Sequence, residues 1–379
     1  MNKGHKAVLI YSGYNQRAIL AFCRVAERNS IPFFIIAKNK EDPIFLTRYA
    51  GHVVVIRRTN QLEINEFMSH ILGVRNRTGH EKFLILPSTE ALNRFLLVHR
   101  EQFKMMGCDI PLVEEDLYKK VSNKYSFGDL CNRHHLKVPA ELGLEEIDQF
   151  PVVMKPKEYN LESDSFLYPI IVHNKDELSK LCKSHARNDY YLQEFINGPS
   201  YYLLFYFNRN GECVSFSQEN LIQQPFGKSI IAAKPALLHK EEIGERFANL
   251  FRQCNFRGLV MIEVRKQNNQ YYMIEANPRL WGPSQLFVDC NIPIFESFLM
   301  DNGFSLNLPE NEVICTDKLY FWFAGMAQYS RQNDVVFLNY SRSEFVREFQ
   351  KFLTHDIYLR PDTCNVFYEE FANLLTLEV

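Results

Sequence analysis

The sequence predicts two architectures in series, an α/β part up to about residue 110 and an α+β part after it. Up to that point short apolar strands alternate with helical patterns, which is the arrangement of a parallel sheet with right-handed crossovers. Beyond it, apolar runs pair across tight turns. Residues 201–207 and 213–216 flank Asn208-Arg209-Asn210-Gly211, and 260–264 and 271–274 flank Gln267-Asn268-Asn269-Gln270, so both read as antiparallel hairpins. At 379 residues the chain is long enough for two or three domains with full cores.

Composition removes several function classes. Charge is balanced, 43 Lys and Arg against 45 Asp and Glu, so nothing calls for a nucleic acid or an anionic membrane as partner. The nine Cys are scattered singly, with no C-x-x-C and no His/Cys cluster. That is the pattern of reduced thiols in a cytoplasmic protein, not of a disulfide scaffold or a zinc site. The first apolar run ends at Tyr11 and Ser12, too soon for a signal peptide, and the later apolar stretch 319–327 is too short to span a bilayer.

Taken in order, residues 7–10 form a buried strand, Ser12-Gly13 a turn, and the apolar residues around 18–23 a helix. Strands follow at 33–37, 53–56 and 83–86, with helices between them. A dinucleotide site is disfavoured, because the first turn has one Gly where that fingerprint needs three and the second strand ends at Lys38 instead of an acid. Pro87-Ser88-Thr89-Glu90 lies at a strand's carboxyl end, where open α/β sheets bind ligands; the alternative is an ordinary helix cap by Ser88 or Thr89. Val121-Ser122-Asn123-Lys124-Tyr125 opens a helix that runs to Cys131. A lysine there opposes the helix dipole, so something else requires it. Residues 151–156 are a short strand that ends in Lys155-Pro156, and 190–196 another that carries Gln193 and Glu194. Gly227-Lys228-Ser229 is not a phosphate loop of the Walker type, since the partner glycine position, 222, is Ile. The tail offers an aromatic strand at 319–323, another at 335–338, and a helix starting at the capping box Ser341-x-x-Glu344.

The chemistry concentrates at 258–283. A turn centred on Asn268 and Asn269 places Glu263 opposite Glu275, with Asn277 on the face of Glu275. Two carboxylates about 5 Å apart repel unless a cation lies between them. Oxygen donors of this kind suit Mg²⁺ that carries substrate phosphates; a solvated hairpin face is the alternative. Pro278 stops the strand and Arg279 brings a fixed positive charge beside the acids.

Glu263 followed by Glu275-Ala276-Asn277-Pro278-Arg279 resembles the metal-binding end of the ATP-grasp superfamily, and the resemblance extends upstream over residues 7 to 300. It implies a pre-ATP-grasp parallel-sheet domain (1–110), then a two-lobed ATP-grasp domain (111–310, small lobe 140–195, metal-binding lobe 196–310) and an extension (311–379). By the same resemblance Glu263, Glu275 and Asn277 hold two Mg²⁺ ions, or Mn²⁺ in their place. Lys124 and Lys155 contact the ATP phosphates, Glu194 accepts from the adenine amino group, and the backbone of Phe195 and Ile196, next to Gln193, reads the base edge. The chain departs from the family in three places. Asn123 stands before Lys124 where the family usually has Asp. No glycine lies between Lys155 and Ile171, where the phosphate loop is Gly-rich, so Ser163 and Ser165 stand as substitute donors; and Ser200 falls where the ribose acid is expected.

The implied activity is that of a ligase that turns a small-molecule carboxylate into an acyl phosphate and joins it to an amine, amino acids being candidates for both. Arg279 then stabilises the reacting centre, and Lys228 touches phosphate or the carboxylate, unless it is a plain turn lysine. The family habit is a homodimer. The alternatives are a non-catalytic ATP-binding module and an enzyme that activates bicarbonate or carbamate.

Overall fold

The structure is a computed structural model and describes residues 6–157, 169–184, 190–308, 315, 317–330 and 335–376. Strands β1 (Ala7–Tyr11), β2 (Phe33–Ala37), β3 (Val53–Ile56), β4 (Phe83–Ile85) and β5 (Cys108–Asp109) make one sheet in the order β3-β2-β1-β4-β5. Every neighbouring pair in it is parallel, as the alternation of strands and helices predicts. All five residues of β1 are buried, the condition of a central strand covered on both faces.

A second, small sheet joins β6 (Val152–Pro156), β7 (Ile170–Val172) and β8 (Tyr190–Glu194) in the order β7-β6-β8, and has its own core of Val152, Met154, Val172, Leu178 and Tyr190. The third sheet contains β9 (Ser200–Phe207), β10 (Cys213–Gln223), β11 (Ile230–Ala236), β12 (Gly258–Gln267), β13 (Gln270–Asn277) and β14 (Tyr320–Phe321) in the order β13-β12-β9-β10-β11-β14; β15 (Val336–Phe337) pairs with β10. The pairings in the second and third sheets are antiparallel. The β12–β13 turn has Asn268 and Asn269 at φ 51° and 58°, the left-handed pair a two-residue hairpin needs, and it sets Glu263 opposite Glu275.

The N-terminal domain is not a loose appendage. The helix Gln16–Arg28 sends Ala18, Ile19 and Phe22 into a cluster that also holds Tyr206, Trp281, Phe295 and Phe298. Phe22 meets Phe295 edge-on at 5.3 Å. Trp281 is buried there, as its size and apolar surroundings suggest.

The structure corrects four boundaries. The helix around Lys124 does not run through from 121: one helix, Glu115–Ser122, ends and a second, Lys124–Arg133, begins, because the Asn123 side chain accepts the Ser126 N–H and restarts the turn. The apolar pattern after Gly282-Pro283-Ser284 predicts one helix carrying Leu286, Phe287 and Ile294, but that helix ends at Asp289 and Ile294 opens another, Ile294–Asp301. The strand expected at 319–323 shrinks to β14, and Phe323 starts a helix, Phe323–Ser330. The buried Asp356 carboxylate takes the Phe323 N–H at 2.7 Å, a long-range cap that local composition cannot reveal. The strand at 335–338 keeps only its middle pair, β15. The helix Arg342–Leu353 does begin with the expected capping box of Ser341 and Glu344. No helix among the described residues is long and apolar enough to cross a membrane.

Candidate active site

A cleft of about 390 Å³ opens between the small sheet and the β12–β13 end of the third sheet. Of the residues singled out in the sequence, Lys124, Lys155, Glu194, Phe195, Ile196, Lys228, Glu263, Glu275, Asn277 and Arg279 all line it. Gln193 does not: its side chain is buried and donates to the Pro139 carbonyl at 3.1 Å, one residue out of phase with Glu194. Ser163 and Ser165 lie outside the described residues.

The acids are gripped from both sides. Lys124 stands at the first position of its helix and reaches Glu275 at 2.7 Å, which accounts for a lysine placed against the helix dipole. Asn277 Nδ2 donates to the other oxygen of Glu275 at 2.7 Å, and Arg279 Nη2 donates to Asn277 Oδ1 at 3.1 Å. Burial alone would raise the Glu275 carboxyl, but the Lys124 charge, the Lys124 and Asn277 hydrogen bonds and Arg279 outweigh it and hold it at about 2. Glu263 is buried too, and for it burial prevails. Its carboxyl is pushed up in spite of Arg265, with the neighbouring Glu275 adding to the rise.

Lys155 closes β6 with 5% of its surface exposed. Burial, reinforced by the Lys124 charge, brings its ammonium down to about 7 against the pull of Glu275 and Glu263. An anion placed beside it restores the full charge. At the other end of the cleft, Gln267 Nε2 donates to Glu194 at 3.3 Å, tying β12 to the hinge after β8. Gly198 in that hinge runs so close to β12 that a Cβ there would fall 2.0 Å from the Lys266 carbonyl.

Several residues that matter to this geometry carry no signal in the sequence. Ser200, where the resemblance expects an acid, donates to Glu263 Oε1 at 3.0 Å; Asn220 donates to Ser200 at 2.9 Å and Gln218 to Asn220 at 2.8 Å. This fully buried relay crosses β10, β9 and β12 and fixes the less accessible acid. Arg265, two residues along the same face from Glu263, lies 3.5 Å from that carboxylate and 3.5 Å from Gln223 Oε1. Gln218 and Asn220 sit in the unbroken polar run 217–220 of β10, where nothing in the sequence distinguishes them from their neighbours.

The N-terminal domain reaches the same place. Asn15 Nδ2 donates to the carbonyls of Ser88 and Leu280, each at 2.9 Å, and Asn93 donates to the Pro278 carbonyl at 3.4 Å. Thr89 is the helix cap that its sequence allows, while Glu90 lines the cleft and pairs with Arg94 at 2.8 Å.

Residues 167–287 match the family described as carbamoyl-phosphate synthase L chain, ATP binding domain. Among solved structures, the chain is similar to the biotin carboxylase domain of 2-oxoglutarate carboxylase from Hydrogenobacter thermophilus, determined with MgADP, ADP and bicarbonate. The two share 15% identity at a TM-score of 0.58, over 83% of this chain and 73% of that one. The chain has the ATP-grasp fold. Two further structures share this ATP-grasp architecture. Biotin carboxylase from Campylobacter jejuni, in a β,γ-ATP complex, matches at 13% identity and a TM-score of 0.57, over 83% of this chain and 74% of that one. N5-carboxyaminoimidazole synthetase from Staphylococcus aureus matches at 14% identity and a TM-score of 0.57, over 79% and 78%. No curated protein sequence matches.

Proposed function

We propose that the chain is an ATP-dependent ligase that activates a small-molecule carboxylate as an acyl phosphate and joins it to an amine. The observation that carries this reading is the Glu263, Glu275, Asn277 and Arg279 set, with Lys124 on Glu275, in a cleft bounded by two antiparallel sheets.

The donor set fits Mg²⁺. No three His, Cys, Asp or Glu side chains stand together among the described residues, so this is not a dedicated protein cage. Two carboxylates and an amide oxygen are what an ion needs when its remaining ligands are phosphate oxygens and water. Bound there, Mg²⁺ supplies charge neutralisation to the triphosphate and polarises the transferred phosphoryl group.

The chain's own residues do the rest. Lys124 and Lys155 bring positive charge to the phosphates from the two walls, and Glu194 with the hinge backbone at Phe195 and Ile196 receives the base. A carboxylate oxygen of the acid attacks the γ-phosphorus, ADP leaves, and the amine nitrogen then displaces phosphate from the acyl carbon. Arg279, held by Asn277 and the Leu280 carbonyl, stands where charge develops in both steps. Lys228 is exposed at the mouth of the cleft and has no salt bridge among the described residues, which leaves it available to the acid.

A second reading has a specific observation in its favour. One similar structure holds bicarbonate and another is a carboxyaminoimidazole synthetase, so bicarbonate joins the acids to be tested. The test is ADP release with ATP and Mg²⁺, run with pooled amino acids and small carboxylates, with and without bicarbonate, and with Glu275→Ala alongside. Turnover that depends on a pool and falls at least 100-fold in Glu275→Ala supports the ligase; dependence on bicarbonate alone selects the second reading. ATP-independent stability and no turnover in any arm would sink both.

A further inference from the structure

The carboxyl ends of β1, β2 and β3 carry charges that the cleft does not use. The buried Asp42 accepts from Ser12 Oγ at 2.6 Å, from the Lys38 N–H at 2.8 Å and from the Ile44 N–H at 3.0 Å. Arg57 Nη2 donates to the Ser12 carbonyl at 2.5 Å. These bonds tie together the loops that follow the three strands, and they engage both oxygens of the buried Asp42 carboxylate.

What remains is two cations, Lys38 and Arg57, with the charge of the fully engaged Asp42 bearing on Arg57. Lys38 Nζ lies 4.3 Å and Arg57 Cζ 5.8 Å from the centre of one ring, Tyr14, which is half-exposed. Arg57 is 8% exposed, yet its Nε has no hydrogen-bond partner among the described residues. The nearby Glu66 is already committed to His70 at 2.9 Å. Neither Lys38 nor Arg57 has a salt bridge among the described residues. Two cations against one ring repel each other, and a buried donor without an acceptor is costly; a small anion between them relieves both. The place is the one open α/β sheets use for ligands, outside the carboxyl ends of the strands. It also borders the cleft: Asn15, next to Tyr14, donates to the Leu280 carbonyl, the same oxygen that accepts from Arg279 Nη1 at 2.9 Å.

We propose that Lys38, Arg57 and Tyr14 form a binding site for an anionic group, phosphoryl or carboxylate, on a second small-molecule substrate. The assignment to a substrate rests on the ligase reading; the anion site itself does not. It anchors the substrate on the N-terminal domain while the reacting group faces Arg279.

The test fills the nucleotide site first. Protein saturated with Mg²⁺ and ADP is titrated at constant ionic strength with inorganic phosphate and, separately, with succinate, followed by calorimetry and thermal shift. Saturable binding of one probe, weakened at least tenfold by Lys38→Met with the ADP shift unchanged, supports the site. The better probe identifies the group, phosphate a phosphoryl and succinate a carboxylate. Arg57→Met gives the same answer if its circular dichroism matches the wild type, and Lys38→Met decides alone if it does not. Anion binding that is unaltered in Lys38→Met, or no binding of either probe, overturns the proposal. Absence of any ADP shift in the wild type counts against the ligase reading, and the same titrations without ADP then still decide the anion site.

Discussion

Glu263 and Glu275 face each other across one hairpin yet are held by different means, Glu275 by charges and Glu263 by a neutral buried relay from Ser200. Removing the relay is therefore expected to cost more than an ordinary serine truncation. Ser200→Ala strips a hydrogen bond from a buried carboxylate and should lower stability by about 1.5–3 kcal/mol in urea unfolding, the range for hydrogen bonds to charged groups. It should also weaken Mg²⁺–ADP binding in the same samples; an unaltered urea midpoint would show that Ser200 is not the support described. The acids were legible in the sequence because hairpin register follows from the position of the turn. Ser200 was not, since its role depends on three strands from separate stretches of chain coming into register.

The β12–β13 turn and the hinge at Gly198 place the acids and the Glu194 edge of the cleft on a common frame. Asn268 at φ 51° tolerates the left-handed region, which costs most other residues about 1–2 kcal/mol. Asn268→Val should therefore destabilise the protein by about that much, read from the urea midpoint, while Asn268→Gly leaves it near the wild-type value. Gly198→Ala makes a sharper demand, because the new methyl must displace either the hinge or the Lys266 carbonyl. Its expected signature is a loss of at least half of the ADP-induced thermal shift with circular dichroism unchanged; a full ADP shift would show that the hinge adjusts freely. Strands with strong apolar patterns, such as β2 and β3, were legible to the residue. The aromatic run around Tyr320 was not, because the group that converts Phe323 from strand to helix is Asp356, 33 residues away.

Across the molecule, the three stretches that composition separates share one core, and its polar seam is where the carboxyl-terminal segment meets the first helix. Glu370 lies in that seam and accepts from Trp322 Nε1 at 3.2 Å, but burial raises its carboxyl from 4.5 to about 7. The folded protein thus keeps a proton that the unfolded chain releases. This group's share of stability is complete below about pH 4.5 and is lost as pH rises to about 7. Denaturant unfolding at pH 5, 6 and 7.5 should show the wild type losing stability relative to Glu370→Gln over that interval, and parallel profiles would contradict the assignment. None of this was visible in the tail's sequence, where Glu370 is one acid among others; burial and the Asp356 charge raise its carboxyl against the opposing pull of Trp322 and Arg17, all set by the fold.

Arg17 places its Cζ over the Trp322 ring, 3.9 Å from the centre, and donates to Tyr320, the Ile230 carbonyl and Ser229, the residue after Lys228. One guanidinium from the first helix thereby fastens the last segment of the chain and the rim of the cleft together. For protein engineering this sets a rule about exchange of parts. A hybrid that takes its N-terminal domain from a different protein of the same fold must import an arginine at this position, or redesign the Tyr320–Trp322 seat at the same time. Otherwise the borrowed domain will arrive with the Lys228 loop unanchored, although no residue of that loop was exchanged.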